Sequence, residues 1–430
     1  MRLPQPLVVR SLLLGVLLTL VQGLAGSDAP PATAPPARPH YAITELAPPD
    51  ADKPDRPDIL SNPNYPDGQN RSSAVALNDR GQVVVSWHGP KGNGSFIWEK
   101  GKKPQPLGYL PDTNFLRANA INNAGQVVGS LWRVNDPSAR WTRACIWERG
   151  VPRDLGTTLG ERSFAYDINN QGKVYLASYA MASGRYGPPK NVLESAAFLW
   201  TADKGLQRLP ARLDGVRAVL NDRGQIAFHD DLTPDEMKGS FPGLDRDDLP
   251  TGREPIGAFM YSAGTLRRLL VGRSWYTRVY DINNRGDVLV NGLLLGKRTQ
   301  YGTRYESTGF YLWRDGQATL VIPNASSGIP GYVVSNGPSL NEAGDVVATL
   351  ISKREQDRPK SGEQRDSWDQ GYTAVLYRGG TLHYLSDCIP RDSGWRLICC
   401  AAINNRGQIV GMGKYQGKQR AFLLTPLPPL

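Results

Sequence analysis

Cysteine and histidine are scarce in this chain, and their scarcity excludes several kinds of protein. Four cysteines among 430 residues are too few for a disulfide-built scaffold, so the core must come from packed secondary structure. Cys388 lies near Cys399 and Cys400, and in an oxidising compartment one such pair would staple the chain there, with the choice of partner left open. Cys145 takes a strand position filled elsewhere by phenylalanine and reads as a small buried hydrophobe. The four histidines, His40, His88, His229 and His383, are scattered and form no metal-ligand spacing. No Ser-His-Asp pattern and no paired carboxylates stand out, so nothing calls for a metal or a cofactor. Past the first 25 residues no apolar stretch is long enough to cross a bilayer. The basic residues form no nucleic-acid motif, so nucleic acid is not an expected partner.

What is present begins with a secretory pattern: Arg2 and Arg10, an apolar run from Leu12 to Leu20, then small residues at Gly23 and Ala25. Residues 1–25 are expected to be a signal peptide, residues 26–40 a Pro/Ala-rich leader, and residues 41–430 a single domain that is secreted or periplasmic in a bacterium. The formal net charge of +10 falls to +8 once the two arginines of the signal are set aside, which favours anionic partners without naming one.

A short pattern recurs seven times, from ALNDRGQVVV at Ala76 to AINNRGQIVG at Ala402. Its fixed points are an asparagine (Asn78, Asn122, Asn169, Asn221, Asn283, Asn341, Asn404) and a glycine three residues on (Gly81, Gly125, Gly172, Gly224, Gly286, Gly344, Gly407). An apolar run, Asn-x-x-Gly and a second apolar run make a hairpin, with a type I turn closed by a left-handed residue. Asp-x-Asn-x-x-Gly also resembles a calcium loop, but the leading acid occurs only at Asp167 and Asp281. After each hairpin (strands a and b) comes an aromatic-aliphatic strand c, such as Phe198-Leu199-Trp200, and in six units a glycine turn and a short strand d. The seventh unit has no strand d, and Tyr41–Leu46 is a spare strand at the other end. These facts predict an all-β fold, a seven-bladed β-propeller of four-stranded antiparallel blades, its ring closed by the N-terminal strand (41–46) completing the last blade.

On these residues the chain resembles the HAF-repeat family of bacterial extracellular repeat proteins. The likeness rests on the Ile-Asn-x-x-Gly-Gln-Val-Val-Gly turn and on steps such as Ala197-Phe198-Leu199-Trp200 and Ala421-Phe422-Leu423, although the family's histidine is missing. The resemblance implies export and a β-propeller-like repeat scaffold, and it carries over no catalytic residue.

In such a scaffold the long b–c and d–a connections share one face, where recognition usually sits. Arg71, Arg117, Arg162, Arg217, Arg278 and Arg396 stand ahead of strand a, near the channel mouth, in every unit but the sixth. The b–c loops add Trp132, Arg133, Trp141, Arg143, Tyr301 and Arg304 among others. Planar cations beside aromatic rings suit carboxylate or sulfate groups on sugars. The leading expectation is therefore an exported, monomeric, non-enzymatic binding module whose loop face recognises an anionic glycan or an envelope protein. The alternative is a polysaccharide-active hydrolase or lyase using carboxylates of the fourth unit's insertion, His229–Glu254, which carries Asp230, Asp231, Asp235, Glu236, Asp245, Asp247 and Asp248.

Overall fold

The computed structural model describes residues 38–46, 71–89, 92–133, 141–156, 159, 162–181, 192–240, 255–269, 274–299, 302–323, 332–351 and 372–428. The signal peptide and most of the leader lie outside them. The fold is all-β with antiparallel sheets, and among the described residues no helix is long and apolar enough to cross a membrane.

The strands follow one another in the order a, b, c, d. The first unit comprises Arg71–Leu77, Val83–Gly89, Gly92–Trp98 and Gln105–Pro106, each paired antiparallel with the next. The second comprises Phe115–Ile121, Val127–Trp132, Thr142–Glu148 and Val151–Asp154, and the third Arg162–Ile168, Val174–Met181, Val192–Thr201 and Gly205–Arg208. The fourth has a short strand a, Ala218–Leu220, then Ile226–Asp231, Ile256–Ser262 and Thr265–Leu269. The fifth runs Ser274–Ile282, Val288–Thr299, Gly302–Arg314 and Gln317–Pro323, and the sixth Tyr332–Leu340, Val346–Ile351, Tyr372–Arg378 and Thr381–Tyr384. The last has Trp395–Ile403, Ile409–Tyr415 and Lys418–Pro426. Its fourth strand is Tyr41–Glu45, which pairs antiparallel with Lys418–Pro426 from Tyr41↔Pro426 to Glu45↔Phe422. Single parallel bridges, Arg162↔Thr142 and Ile256↔Tyr276, join the second sheet to the third and the fourth to the fifth.

Strands b and c are buried on both faces, as Ala144, Cys145, Ile146 and Trp147 show, so their apolar runs are continuous. Strand a alternates instead: in Arg71–Leu77 every second residue is buried and the others are half-buried. The recurrent strand-c aromatics are packing residues. Trp147 is fully buried and its indole N–H donates to Gly108 O at 2.8 Å. All four cysteines are free thiols, and burial pushes Cys388 and Cys399 each up to about 11.

The turns explain why the repeat keeps asparagine. Asn404 Oδ1 accepts the N–H groups of Arg406 and Gln408, at 3.1 and 2.9 Å, holding its own turn, while Gly407 takes φ +70°. Its Nδ2 then reaches the next unit. Asn78 donates to Asn122 O, Asn122 to Asn169 O, Asn169 to Asn221 O, Asn221 to Asn283 O, Asn283 to Asn341 O and Asn341 to Asn404 O. Asn404 donates back to Asn78 O at 2.9 Å. The following residues repeat the circuit through backbone N–H donors and side-chain acceptors, in the order Asp79, Asn123, Asn170, Asp222, Asn284, Glu342, Asn405 and again Asp79. Residues from all seven turns line a cavity of about 210 Å³ that is open to solvent.

Asp167 and Asp281, the two residues that raised a calcium loop, clamp one unit to the next. Asp167 Oδ2 accepts Leu220 N–H at 2.8 Å, and Asp281 Oδ2 accepts Leu340 N–H at 2.8 Å and the Ser339 hydroxyl at 3.0 Å. Burial pushes Asp167 up to about 7 and Asp281 up to about 6, against the backbone donors that pull both down. Both values exceed the unfolded carboxylate's, about 3.9, so folding takes up protons and stability rises as pH falls from about 7 toward 4. The melting temperature is expected to be about 2–4 °C higher at pH 5 than at pH 8 on this account, with Asp281→Asn flattening the difference. A slope that Asp281→Asn leaves unchanged would assign it to other groups.

Candidate functional site

The strand registers sort the arginines by depth. Arg117 pairs with Ser130 and Arg278 with Asn291, each the fourth residue of its strand b. Arg217, one step before the Ala218↔Phe228 pair, falls opposite His229, again the fourth. Arg71, Arg162 and Arg396 pair with His88, Tyr179 and Lys414, each the sixth. The expected single set ahead of strand a is thus two tiers, mostly within strand a, about 7 Å apart along the strands. Arg117, Arg217 and Arg278 form the deeper tier; all three are exposed, while Leu116, Ala118, Ala218, Thr277 and Val279 beside them are buried.

The charge of Arg217 reaches Arg117, and the charges of Arg217 and Arg278 both reach His229. Burial, and then the nearby Arg217 charge, hold the Arg117 guanidinium below the ordinary arginine range. Among the described residues neither Arg117 nor Arg217 has a carboxylate partner within ion-pair distance. Arg278 lies over the Tyr276 ring, 5.1 Å from its centroid, and donates to the Tyr280 phenol oxygen.

Proton-transfer groups share this space. Tyr166 and Tyr280 sit at the register breaks of two strands a, between Ala165 and Asp167 and between Val279 and Asp281; a bulge of this kind re-aims a side chain. Tyr166 feels the charges of both Arg217 and Arg117, and its hydroxyl lies 3.1 Å from that of Tyr179. Burial raises the Tyr166 and Tyr280 phenols and outweighs the arginines that favour phenolate, so both rest protonated. His229 Nδ1 accepts the Val279 N–H at 3.4 Å, which leaves the proton of the neutral ring on Nε2. Burial first, then Arg278 and Arg217, lower His229 to about 4. A histidine-resolved NMR titration should place its midpoint near pH 4; a midpoint near the ordinary value of about 6.5 would remove His229 from the arginine cluster.

The other predicted site residues separate from this cluster. Trp132 ends a strand b with its ring tilted at 35° against that of Phe115, centroids 4.5 Å apart. Arg143 covers Trp141 at 4.9 Å and pairs with Asp154, and Arg133 pairs with Asp112. Tyr301 and the side chain of Arg304 lie outside the described residues. In the fourth unit's insertion a single cation, Arg212, holds Asp230 at 2.8 Å and Glu236 at 3.1 Å. Asp245, Asp247 and Asp248 lie outside the described residues.

No protein-family profile matches the chain, and no characterised protein matches it in sequence. Solved structures do. The β-propeller domain of the Trilobed protease from Pyrococcus furiosus is similar at 10% identity and TM-score 0.47, covering 82% of this chain and 93% of that one. The Pyrococcus horikoshii acylaminoacyl peptidase matches at 10% identity and TM-score 0.46 over 82% of this chain, which spans about half (52%) of that protein. An ulvan lyase of polysaccharide lyase family PL25, bound to -[GlcA(1-4)Rha3S]-, matches at 8% identity and TM-score 0.38, over 73% of this chain and 81% of that one. These likenesses concern the fold. The expectation of a non-enzymatic module is corrected to the extent that these structures of like fold are a protease's β-propeller domain, a peptidase and a lyase. The site sets two tyrosines and a neutral histidine near Arg117 and Arg217, neither of which has a carboxylate partner within ion-pair distance among the described residues.

Proposed function

We propose that this protein is a polysaccharide lyase acting on a uronate-bearing polymer at the Arg117–Arg217–Arg278 tier. The observation that carries the reading is three guanidinium groups of one depth, two of them without a carboxylate partner among the described residues, beside Tyr166, Tyr280 and His229. Guanidinium forks bind the uronate carboxylate and stabilise the negative charge that develops on it, which acidifies the proton on the adjacent ring carbon. Tyr166, which rests as a phenol, first loses its own proton to solvent, a loss that Arg117 and Arg217 favour, and as phenolate it then takes the ring proton. The C–H electron pair becomes the new carbon–carbon double bond as the neighbouring carbon–oxygen bond breaks, and the Tyr280 phenol protonates the leaving oxygen. The proton that Tyr166 gives to solvent beforehand is the one that solvent returns to Tyr280 afterwards, so the cycle balances with no further reactant. Hydrolysis through the insertion's described acids fits less well, because Arg212 already engages Asp230 and Glu236.

The scaffold we propose is a seven-bladed propeller sealed between Tyr41–Glu45 and Lys418–Pro426; the hydrogen-bond circuit that leaves and returns to Asn78 supports it. The resemblance to HAF-repeat proteins and the leader sequence support membership of that family and export to the periplasm or beyond.

The test is a panel of polygalacturonate, alginate, hyaluronan, chondroitin sulfate and ulvan. The proposal expects an unsaturated uronate, seen by its ultraviolet absorbance, on at least one. New reducing ends without unsaturation would mean hydrolysis, and neither product would overturn the reading.

A further inference from the structure

The axis around which the turns gather differs in charge at its two ends. Further from the turns along strand a lie the guanidinium groups of Arg117 and Arg217, which have no carboxylate partner within ion-pair distance among the described residues. At the turn end the axial cavity is lined by Asp79, Asp222, Asp281 and Glu342 together with asparagines and apolar residues, and none of the turn arginines (Arg80, Arg223, Arg285 and Arg406) lines it. The carboxylates are held there by their neighbours. Asp79 Oδ2 accepts Asn123 Nδ2–H and Asn405 Nδ2–H, both at 3.0 Å; Asp222 Oδ2 accepts Asn170 Nδ2–H at 2.9 Å and Asn284 Nδ2–H at 2.8 Å. The same bonds draw the turns together around the axis.

Resting on the lyase reading above, we infer that the channel is a blind pocket for polyanions, so the enzyme takes its polymer by one chain end and cuts in an exo manner. A uronate chain is drawn in by the arginine tier and meets, at the far end, a ring of acceptors and negative charge. A carboxylate-bearing sugar can pass that ring only by losing its hydration against like charge, and charged rings of this kind set the selectivity of pores. A polymer lying across the mouth would reach only the upper tier and leave Arg117 and Arg217 unmatched. The terminal sugar, inserted along the axis, meets both the guanidinium groups and the rings of Tyr166 and Tyr280.

The experiment is a binding stoichiometry with Tyr166→Phe, which keeps the arginines and removes the proposed base. Length-fractionated polygalacturonate and polyguluronate are titrated into the protein by calorimetry, from short oligomers to long chains. End-on recognition expects one protein per chain at every length, with wild-type digestion releasing one short unsaturated product and lowering viscosity slowly. A ratio that climbs with chain length, or a rapid fall in viscosity, overturns the end-on inference while leaving the lyase reading standing. No binding to either polymer at any length overturns the end-on inference, and no unsaturated product from wild type on any polymer of the panel above overturns the lyase reading as well.

Discussion

Replacing Arg217 with alanine is expected to lower kcat/KM on the acidic polymer by a factor of about 10²–10³, the loss typical of removing one electrostatic stabiliser. Arg217 sits centrally among the interacting groups: its charge reaches Arg117, Tyr166 and His229. Removing it therefore weakens carboxylate binding and the bias toward the Tyr166 phenolate together. Arg217→Lys should recover only part of the rate, because lysine restores the charge and not the planar fork. Arg406→Ala, at a turn on the other end of the axis, should leave the rate unchanged. A second readout is independent of catalysis: the His229 midpoint should move up from about 4 in Arg217→Ala, staying below the ordinary value because burial is its first cause. Activity and midpoint both unmoved would detach Arg217 from the site.

Leu46→Ala should cost about 3 kcal/mol of stability, within the range of about 2–5 for deleting a buried leucine side chain. Leu46 follows the N-terminal strand, is fully buried, and donates its N–H to Ala421 O at 2.9 Å. It packs with Ala74, Val83, Val85 and Phe96 of the first unit and with Val410, Ala421 and Leu423 of the last. One side chain thus bridges the first and last repeats, and a cavity there loosens both. Leu46→Met, of similar volume, should cost less than about 1.5 kcal/mol. A denaturant midpoint that Leu46→Ala does not move would mean that this residue does not carry the junction.

The repeat was readable from sequence because its two fixed residues obey local physics: glycine takes a positive φ and asparagine holds the turn that precedes it. The pairing of Tyr41–Glu45 with Lys418–Pro426 followed from counting strands, one missing and one spare. The second task of the asparagine, donating to the next unit's carbonyl, was invisible, since it depends on how units sit side by side. The arginines were found by position but grouped wrongly. Register breaks such as those at Ala118/Ala120 and Ala165/Asp167 shift strand a by one residue, so equal spacing from the turn does not mean equal depth. Arg162 therefore belongs to the upper tier, and Arg217, two residues nearer its turn than Arg162 is after allowing for the break, to the deeper one. Tyr166, Tyr280 and His229 carried no signal as site residues. Two of them look like ordinary strand aromatics, and the third acquires its lowered pKa only from arginines of other strands. The insertion acids misled for the opposite reason: Arg212, distant from most of them in sequence, answers two at once.

In the proposed reaction Arg117, Arg217 and Arg278 serve a single anion. A crystal structure of Tyr166→Phe with a galacturonate oligosaccharide tests it most directly. The account predicts a terminal carboxylate within hydrogen-bond reach of at least two of those guanidinium groups, with its sugar ring beside Tyr280. An oligosaccharide seated instead on the outer loops near Trp132 and Trp141, with the three arginines turned to protein acids, would contradict it.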